Sequence, residues 1–457
     1  MVDQQKSESD PRTGVDPRTS VELFAGGGGL AMAVHQAGFR PLLFNEFNKR
    51  ACETLEASAR KTLGTDGIQR TEDTRPRPPA QGQPAPLYPG DVRDLDMTAL
   101  RGKVDVLAGG PPCQPFSAGG VAKGDEDKRN MFPAMFKAVR EIRPKAVICE
   151  NVRGLLRPSF ADYFQYIQNE LKLPFVTRDD EVPWQEHNAV LTGILGSLSE
   201  SDRDGEHYRV VKVPVNAADY GVPQIRNRVL LIAFRADLDV DVDAFEKEVT
   251  TRRFSDHALY RSMREEDGPY WQRHPEVEEP VKAMVRARLP KEVEDDCLPW
   301  RTLRDAIKGY GTNAEKPLPA LPDIDLSCLD MKTQQAAEVG ITDHIGWPGA
   351  RIYKGHTPNE LDRPAKTVKA GVHGVPGGES VVRLDRQVVD ESTPAGQRYE
   401  HRYMTVRETA RVMTFPDEWM GAGPRGEKMR QLGNAVPVVL GEYFANAVAE
   451  ALTRAGH

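Results

Sequence analysis

Residues 20–46 read SVELFAGGGGLAMAVHQAGFRPLLFNE, and this stretch decides the fold. Ser20 to Phe24 reads as a strand, Ala25 to Gly29 as a glycine loop, and Leu30 to Ala37 as a helix stopped by Gly38. Leu42 to Phe44 follow as a second strand that ends at Glu46. This is a βαβ unit. Its glycines let the backbone approach a ligand at the helix N-terminus, and an acidic residue about 20 positions on commonly takes ribose hydroxyls. FAGGGG lacks the spacing of the dinucleotide fingerprint and carries no lysine of a phosphate-binding loop. Nicotinamide and nucleoside-triphosphate readings therefore give way to a nucleoside ligand without a pyrophosphate.

Further along, Val104 to Ala108 form a short apolar run suited to a central strand, and GGPPCQPFSAGG at 109–120 follows it directly. Ligands in open α/β sheets bind beyond the carboxyl ends of the strands, which is where Cys113 falls, on a proline-stiffened turn. A lone cysteine beside a turn is more often a small buried hydrophobe. Its neighbours change that balance. Met131, Met135, Val139 and Ile142 repeat at helical spacing up to Pro144, and Ala146 to Cys149 form another buried strand running into Glu150. Two adjacent parallel strands ending in a thiol and a carboxylate bring a nucleophile and a proton donor to one sheet edge. Taken alone, Glu150 could equally cap a helix or pair with an arginine.

These residues carry a resemblance: the chain is similar to the bacterial DNA (cytosine-5) methyltransferases. VELFAGGGG resembles the family's first motif, NEF with Glu46 its second, GDVRD at 90–94 its third and GGPPCQPFS its nucleophile motif. ENV at 150–152, QIRNR at 224–228, RPAKT at 363–367 and GNAVP at 433–437 complete the series in family order. The resemblance implies an α/β fold, a Rossmann-like S-adenosylmethionine-dependent methyltransferase with a mixed sheet and helices on both faces, plus a smaller irregular target-recognition domain. It also implies that Cys113 adds to carbon 6 of cytosine, so that carbon 5 becomes able to attack the methyl group of S-adenosylmethionine. Glu150 would hold the ring nitrogen and exocyclic amine of the base. Arg226 and Arg228 would line the cytosine pocket, with Gln224 beside them. The base that removes the carbon 5 proton is not identifiable.

For the cofactor, the resemblance assigns Phe24 and the loop of Gly26, Gly28 and Gly29 to the methionine side, Glu46 to the ribose and Asp91 to the adenine amine. Ala25, Val92 and Pro112 would stand beside them, and Asn434 would close the same pocket. Phe47 and Asn48 stand where many members carry tryptophan and aspartate, a departure that touches the adenosine contact.

A base stacked in a duplex must be flipped out before its ring can react. Gln114 to Asn130, QPFSAGGVAKGDEDKRN, resembles the family's loop that closes over flipped DNA, and Ser117, Lys123, Lys128 and Arg129 could meet phosphates; without the family the same stretch is simply an exposed loop. Between Phe234 and His401 hydrophobic periodicity weakens and charge runs appear, marking a second domain. Its GARIYKGHTPNELDRPAKTVKAGVHGVPGGE at 349–379 is rich in glycine and basic residues, and Arg351, Lys354, Lys369 and His373 are the candidates for DNA contact.

The expected organisation is a disordered tail at 1–18, a catalytic and cofactor-binding domain at 19–245, a target-recognition domain at 246–400, and a return to the catalytic domain at 401–457. Thr405 with Glu408 three positions on is a capping-box pattern for a helix from Val406, and Val438 to Leu452 reads as a C-terminal helix packed beside the first βαβ helix. Residues 75–89, proline-rich, read as a surface loop, and 157–207 as an extended connection in which Trp184 and His187 simply pack. The 457 residues carry a net charge of −7, so phosphate affinity has to come from a local patch. Five cysteines without paired spacing argue against a disulfide framework or zinc site and for a reducing cytoplasm. No metal, secretion signal or membrane span is expected.

Cytosine-5 methylation of duplex DNA by a monomer is the leading reading. Methylation of transfer RNA by a relative of the family and a catalytically silent nucleic-acid-binding module follow it. The size of 246–400 favours DNA over RNA. Partnership with a restriction endonuclease, membership of another phage-defence system and solitary marking stay open.

Overall fold

The structure, a computed structural model, describes residues 17–62, 67–112, 130–179, 181–199, 205–293, 295–310, 317–325, 327, 335–336, 341–347, 349–352, 356–370, 380–391, 393–394 and 396–457. The chain divides into two compact units. One comprises Met1–Val215, Asn227–Thr251 and Gly441–His457, the other Asn216–Arg226 and Arg252–Leu440.

In the first unit the strands are β1 (Thr19–Leu23), β2 (Arg40–Asn45), β3 (Ile68–Arg70), β4 (Ala85–Tyr88), β5 (Val106–Gly109), β6 (Ala146–Val152), β7 (Tyr208–Asn216) and β8 (Asn227–Arg235). They form one sheet in the order β3-β4-β2-β1-β5-β6-β8-β7. Pairing is parallel from β3 through β6 and antiparallel between β6 and β8, so the expected mixed sheet is present. The chain leaves β1 toward β2 and later returns to β1's other side as β5. Such a switch point opens a crevice at the carboxyl ends of the strands.

Helices α1 (Gly29–Gln36), α2 (Lys49–Thr62), α3 (Phe132–Ile142), α4 (Ala161–Lys172), α5 (Trp184–Ser197) and α6 (Val242–Thr250) belong to this unit. α3 shows why the sequence folds this way: Pro133 opens it, Met135, Val139 and Ile142 make its buried stripe, and Arg143 at φ 53 closes it before Pro144. Val21, Leu23, Leu107, Val147 and Leu231 meet α3 and α4 residues in one core.

Two segments differ from expectation. Within the proline-rich 75–89, Ala85–Tyr88 is an internal strand; Pro86 is tolerated because its only registered neighbour is Gln69 of β3, pairing with β2 beginning at Leu87. The 157–207 connection contains α4 and α5, whose Tyr163, Phe164, Tyr166, Ile167 and Leu171 are buried at helical spacing. Trp184 and His187 pack there as expected: Trp184 meets Tyr163 edge-on at 5.1 Å, and His187 bonds the Tyr166 hydroxyl and the Val176 carbonyl.

In the second unit, β9 (Phe254–Ser255) pairs with β10 (Leu298–Pro299), β11 (Gln335–Ala336) with β12 (Ile345–Gly346), and β13 (Asn359–Glu360) with the hairpin of β14 (Val381–Val389) and β15 (Gln397–Tyr403). The helices are α7 (Asp256–Met263), α8 (Pro269–Arg273), α9 (Glu279–Arg286), α10 (Leu303–Lys308), α11 (Val406–Val412) and α12 (Arg425–Asn434). The Thr405–Glu408 capping box is formed as read. A buried ion network fastens this unit: Arg304 holds Asp362 and Asp385, while Asp305 accepts from His274 and from the Thr302 backbone.

The segments 216–226 and 401–440, read from sequence as catalytic domain, belong to this second unit. The physical reason is that α11 is tied to α10 by Arg411, which donates to the Ile307 carbonyl, while Pro223 and Ile225 share backbone hydrogen bonds with Ala365 and the Arg226 guanidinium donates to the Gly433 carbonyl. Helix α13 (Val438–Arg454) matches the expected C-terminal helix; its Tyr443 hydroxyl and Arg454 bind the end of α6. Arg18, placed by sequence in the tail, donates to Thr453 and the His457 carbonyl, whereas 1–16 lie outside the described residues. The stretch Arg425–Arg454, which holds α12 and α13, is long and apolar enough to cross a membrane by length and composition only, and most of its apolar part is buried within the protein.

Candidate active site

In the first unit the carboxyl ends of β1, β2, β4 and β5 carry the residues that the sequence singled out. The glycine loop turns through left-handed backbone at Phe24 (φ 57), Gly26 (φ 56) and Gly28 (φ 92). A side chain at Gly28 would also meet Leu55 Cδ2 at 3.1 Å. For the non-glycine Phe24 this conformation is uncommon and costs energy, a feature that clusters at ligand sites. Glu46 pins the loop: its Oε2 accepts from the Gly26 N–H at 2.7 Å and its Oε1 from the Asn48 N–H at 2.6 Å. The preceding Asn45 donates to the carbonyls of Tyr88 (3.2 Å) and Gly90 (2.9 Å), so one strand end organises two loops. A Cβ at Gly90 would come within 2.7 Å of the Tyr88 ring, so the ring would have to move to admit a side chain there.

Asp91 caps the turn that follows by accepting from Arg93 N–H, and it also pairs with the Arg93 guanidinium, which holds its carboxyl below the usual carboxylate range. Val92 is buried beneath. Ala25 is buried, Gly29 opens α1, and Phe47 projects with 76% of its surface exposed. Among the described residues this is a loop of left-handed backbone pinned by one buried carboxylate, with one exposed aromatic side chain beside it.

At the end of β5, Gly109 lies so close to β1 that a Cβ would reach the Leu23 carbonyl oxygen at 2.8 Å. A Cβ on Gly110 would come within 3.3 Å of Glu150 Oε2. Asn151, not singled out by sequence, donates to the Pro111 carbonyl at 2.9 Å, and the exposed Pro112 accepts from Met131 N–H at 3.3 Å. The turn is thus fixed up to residue 112. Cys113, Ser117, Lys123, Lys128, Arg129, Lys354 and His373 lie outside the described residues.

Glu150 is nearly buried in β6, and its Oε1 lies 2.8 Å from Nε of Arg228 on the antiparallel neighbour β8. Strand β6 runs two residues beyond Glu150, which makes the carboxylate a feature of a rigid strand rather than of a loop. Neighbouring Cys149 faces the core, and burial pushes its thiol far up, as burial pushes Cys52 up to about 12. Neither is suited to be a nucleophile at neutral pH.

Gln224 and Arg226, expected beside the cytosine, are both buried. In the second unit the Arg226 guanidinium has no exposed surface and donates to the carbonyls of Val368 (3.0 Å), Gly433 (2.8 Å) and Ala435 (2.9 Å). Gln224, equally buried, accepts from Val368 N–H and donates to Met413 Sδ. Arg226 thereby ties Val368, next to RPAKT, to the GNAVP segment, and Gln224 joins Val368 to Met413. Gly433 is part of the same close approach, since a Cβ there would meet Ala370 N at 2.4 Å. Asn434, Arg351 and Lys369 are exposed.

A left-handed glycine loop and a strand-borne carboxylate–arginine pair sit on one mixed α/β sheet, as the resemblance to a methyltransferase leads one to expect. The C-5 cytosine-specific DNA methylase family model matches residues 18–78, 83–173 and 184–450, and the chain belongs to that family. It is 28% identical over 449 residues to the type II methyltransferase M.Eco47II of Escherichia coli, covering 95% of this chain and 80% of that protein. It is also 28% identical over 451 residues to M.PspPI of a Psychrobacter strain, with 96% and 82% coverage. Among solved structures, a prophage-encoded E. coli DNA modification methyltransferase covers 95% of this chain at 18% identity and a TM-score of 0.51, which shows a shared fold. Membership makes this chain a DNA (cytosine-5) methyltransferase.

Proposed function

We propose that the chain transfers a methyl group from S-adenosylmethionine to carbon 5 of one cytosine in a specific duplex DNA sequence, as the modification partner of a type II restriction system. The relatives' names support the last part, and a cognate endonuclease would be the partner. When bound, S-adenosylmethionine supplies an electrophilic methyl group on a sulfonium. The Phe24–Gly29 loop would hold its methionine end, Glu46 its ribose, and Asp91 and Phe47 its adenine.

Carbon 5 of cytosine is a poor nucleophile. Addition of the Cys113 thiolate to carbon 6 forms a carbon–sulfur bond and gives carbon 5 enamine character. Glu150, oriented by Arg228, holds ring nitrogen 3 and the exocyclic amine and offsets the charge that develops during addition. Once carbon 5 is methylated, a base removes its proton, the electron pair restores the 5,6 double bond, and the thiolate leaves. The observation that carries this reading is the Glu150–Arg228 pair beside a Gly109–Pro112 turn that Asn151 fixes two residues before Cys113.

DNA carrying 5-fluorocytosine tests it, because fluorine at carbon 5 cannot leave as the proton does. The protein should form a denaturant-stable adduct with such DNA that Cys113→Ala abolishes. Turnover without an adduct would refute the covalent route.

A further inference from the structure

Three of the large apolar side chains exposed on the described surface fall in one short stretch: Ile345, Trp347 and Ile352. Residues 344–359, HIGWPGARIYKGHTPN, contain Arg351, Lys354 and two histidines and no carboxylate, although the whole chain is acidic. An exposed apolar surface on a locally cationic stretch suits a polyanion that also offers flat apolar faces.

Trp347 is not a loose surface residue. The Arg425 guanidinium carbon lies 5.4 Å from the centre of its ring and 5.6 Å from that of Tyr403. Arg425 is itself fixed, since it donates to the Met404 carbonyl at 2.9 Å. The Tyr403 hydroxyl accepts from the Arg351 N–H at 3.4 Å, which ties the far end of the stretch to the same ring. His344, buried at the near end, bonds the Thr405 hydroxyl and the Pro322 carbonyl. Trp347 is therefore held with its rotamer freedom already spent, while over a third of its surface faces solvent.

We propose that Trp347 is an aromatic anchor of the second unit for DNA, stacking its free indole surface on a nucleobase of the target site while Arg351 meets the backbone. This rests on the DNA-methylating reading above. Base–aromatic stacking is tolerant of sequence, and an aromatic inserted at a base step helps unstack it, which an enzyme that extrudes a base requires. Arg425 acts through Trp347 as a positioning residue, because its cation is already engaged by two rings.

The test uses full-length protein and sheared, unmethylated genomic DNA. Wild-type tryptophan fluorescence should be quenched on DNA addition, and Trp347→Phe should lose most of that quench while still binding S-adenosylmethionine. Trp347→Ala should bind DNA roughly tenfold more weakly, equivalent to about 1.4 kcal/mol, with an unchanged thermal midpoint. Undiminished quenching in Trp347→Phe, or Trp347→Ala affinity equal to wild type, would overturn the proposal. Absence of methylation by the wild-type protein would instead sink the functional reading and leave the Trp347 binding result to stand by itself.

Discussion

Replacing Arg226 with methionine separates two roles that the sequence motif does not distinguish. Methionine fills a similar volume but donates nothing, so the carbonyls of Val368, Gly433 and Ala435 lose their shared donor in a dry interior. A charge-assisted hydrogen bond contributes roughly 1.5–3 kcal/mol, and the three are not additive because one guanidinium makes them all. A net loss of about 4 kcal/mol follows, in line with breaking other buried charged contacts. For a unit of about 200 residues this lowers the unfolding midpoint by roughly 8–16 °C. Arg226→Lys should recover part of the loss, since a lysine ammonium can reach some but not all of the three acceptors. Differential scanning calorimetry of wild type and both variants, with methyl transfer measured below the lowest midpoint, is the assay. A midpoint within 2 °C of wild type together with abolished methyl transfer would refute the clamp and restore Arg226 to the cytosine pocket.

Glu22 on β1 is fully buried with no hydrogen-bond partner for Oε1, and burial raises its pKa to about 8. Because the folded pKa is raised above the ordinary 4.5, stability is fully present below that value and falls by about 1.4 kcal/mol per pH unit up to pH 8. Glu22→Gln should flatten this decline in a series of thermal midpoints between pH 5 and 8; parallel curves for the two proteins would rule the carboxyl out. Gly28→Ala puts a side chain at φ 92 and 3.1 Å from Leu55, and the strain of about 1–2 kcal/mol should weaken S-adenosylmethionine binding roughly tenfold in calorimetry. Unchanged affinity would remove the loop from the cofactor site. Asn151→Ala releases the Pro111 carbonyl, and kcat should fall by at least about tenfold with little change in cofactor affinity, since mispositioned catalytic groups lose rate steeply. An unchanged kcat would show that the turn holds itself.

Much of the first unit was legible because its signals are local. The β1–loop–α1–β2 run and the apolar β5 and β6 each depend on residues adjacent in sequence, as does the Thr405 capping box of the second unit. Strand β4 escaped because prolines mask it, and Pro86 is acceptable only where a single neighbour pairs with it. The helices α4 and α5 were hidden by polar flanks, although Tyr163, Phe164, Ile167 and Leu171 had helical spacing. The buried partners of Arg226 were illegible for a different reason: a motif specifies an arginine, whereas its partners come from residues 142 to 209 positions away. No local pattern announces that. The stack of Trp347, Arg425 and Tyr403 likewise joins segments far apart in the chain.

The most direct test of the central claim is incubation of the purified protein with unmethylated genomic DNA and S-adenosylmethionine, followed by bisulfite mapping, with Cys113→Ala as control. The account predicts 5-methylcytosine confined to one short duplex motif and absent from the control. An equal mark in the Cys113→Ala sample, or none above it in the wild type, would contradict it.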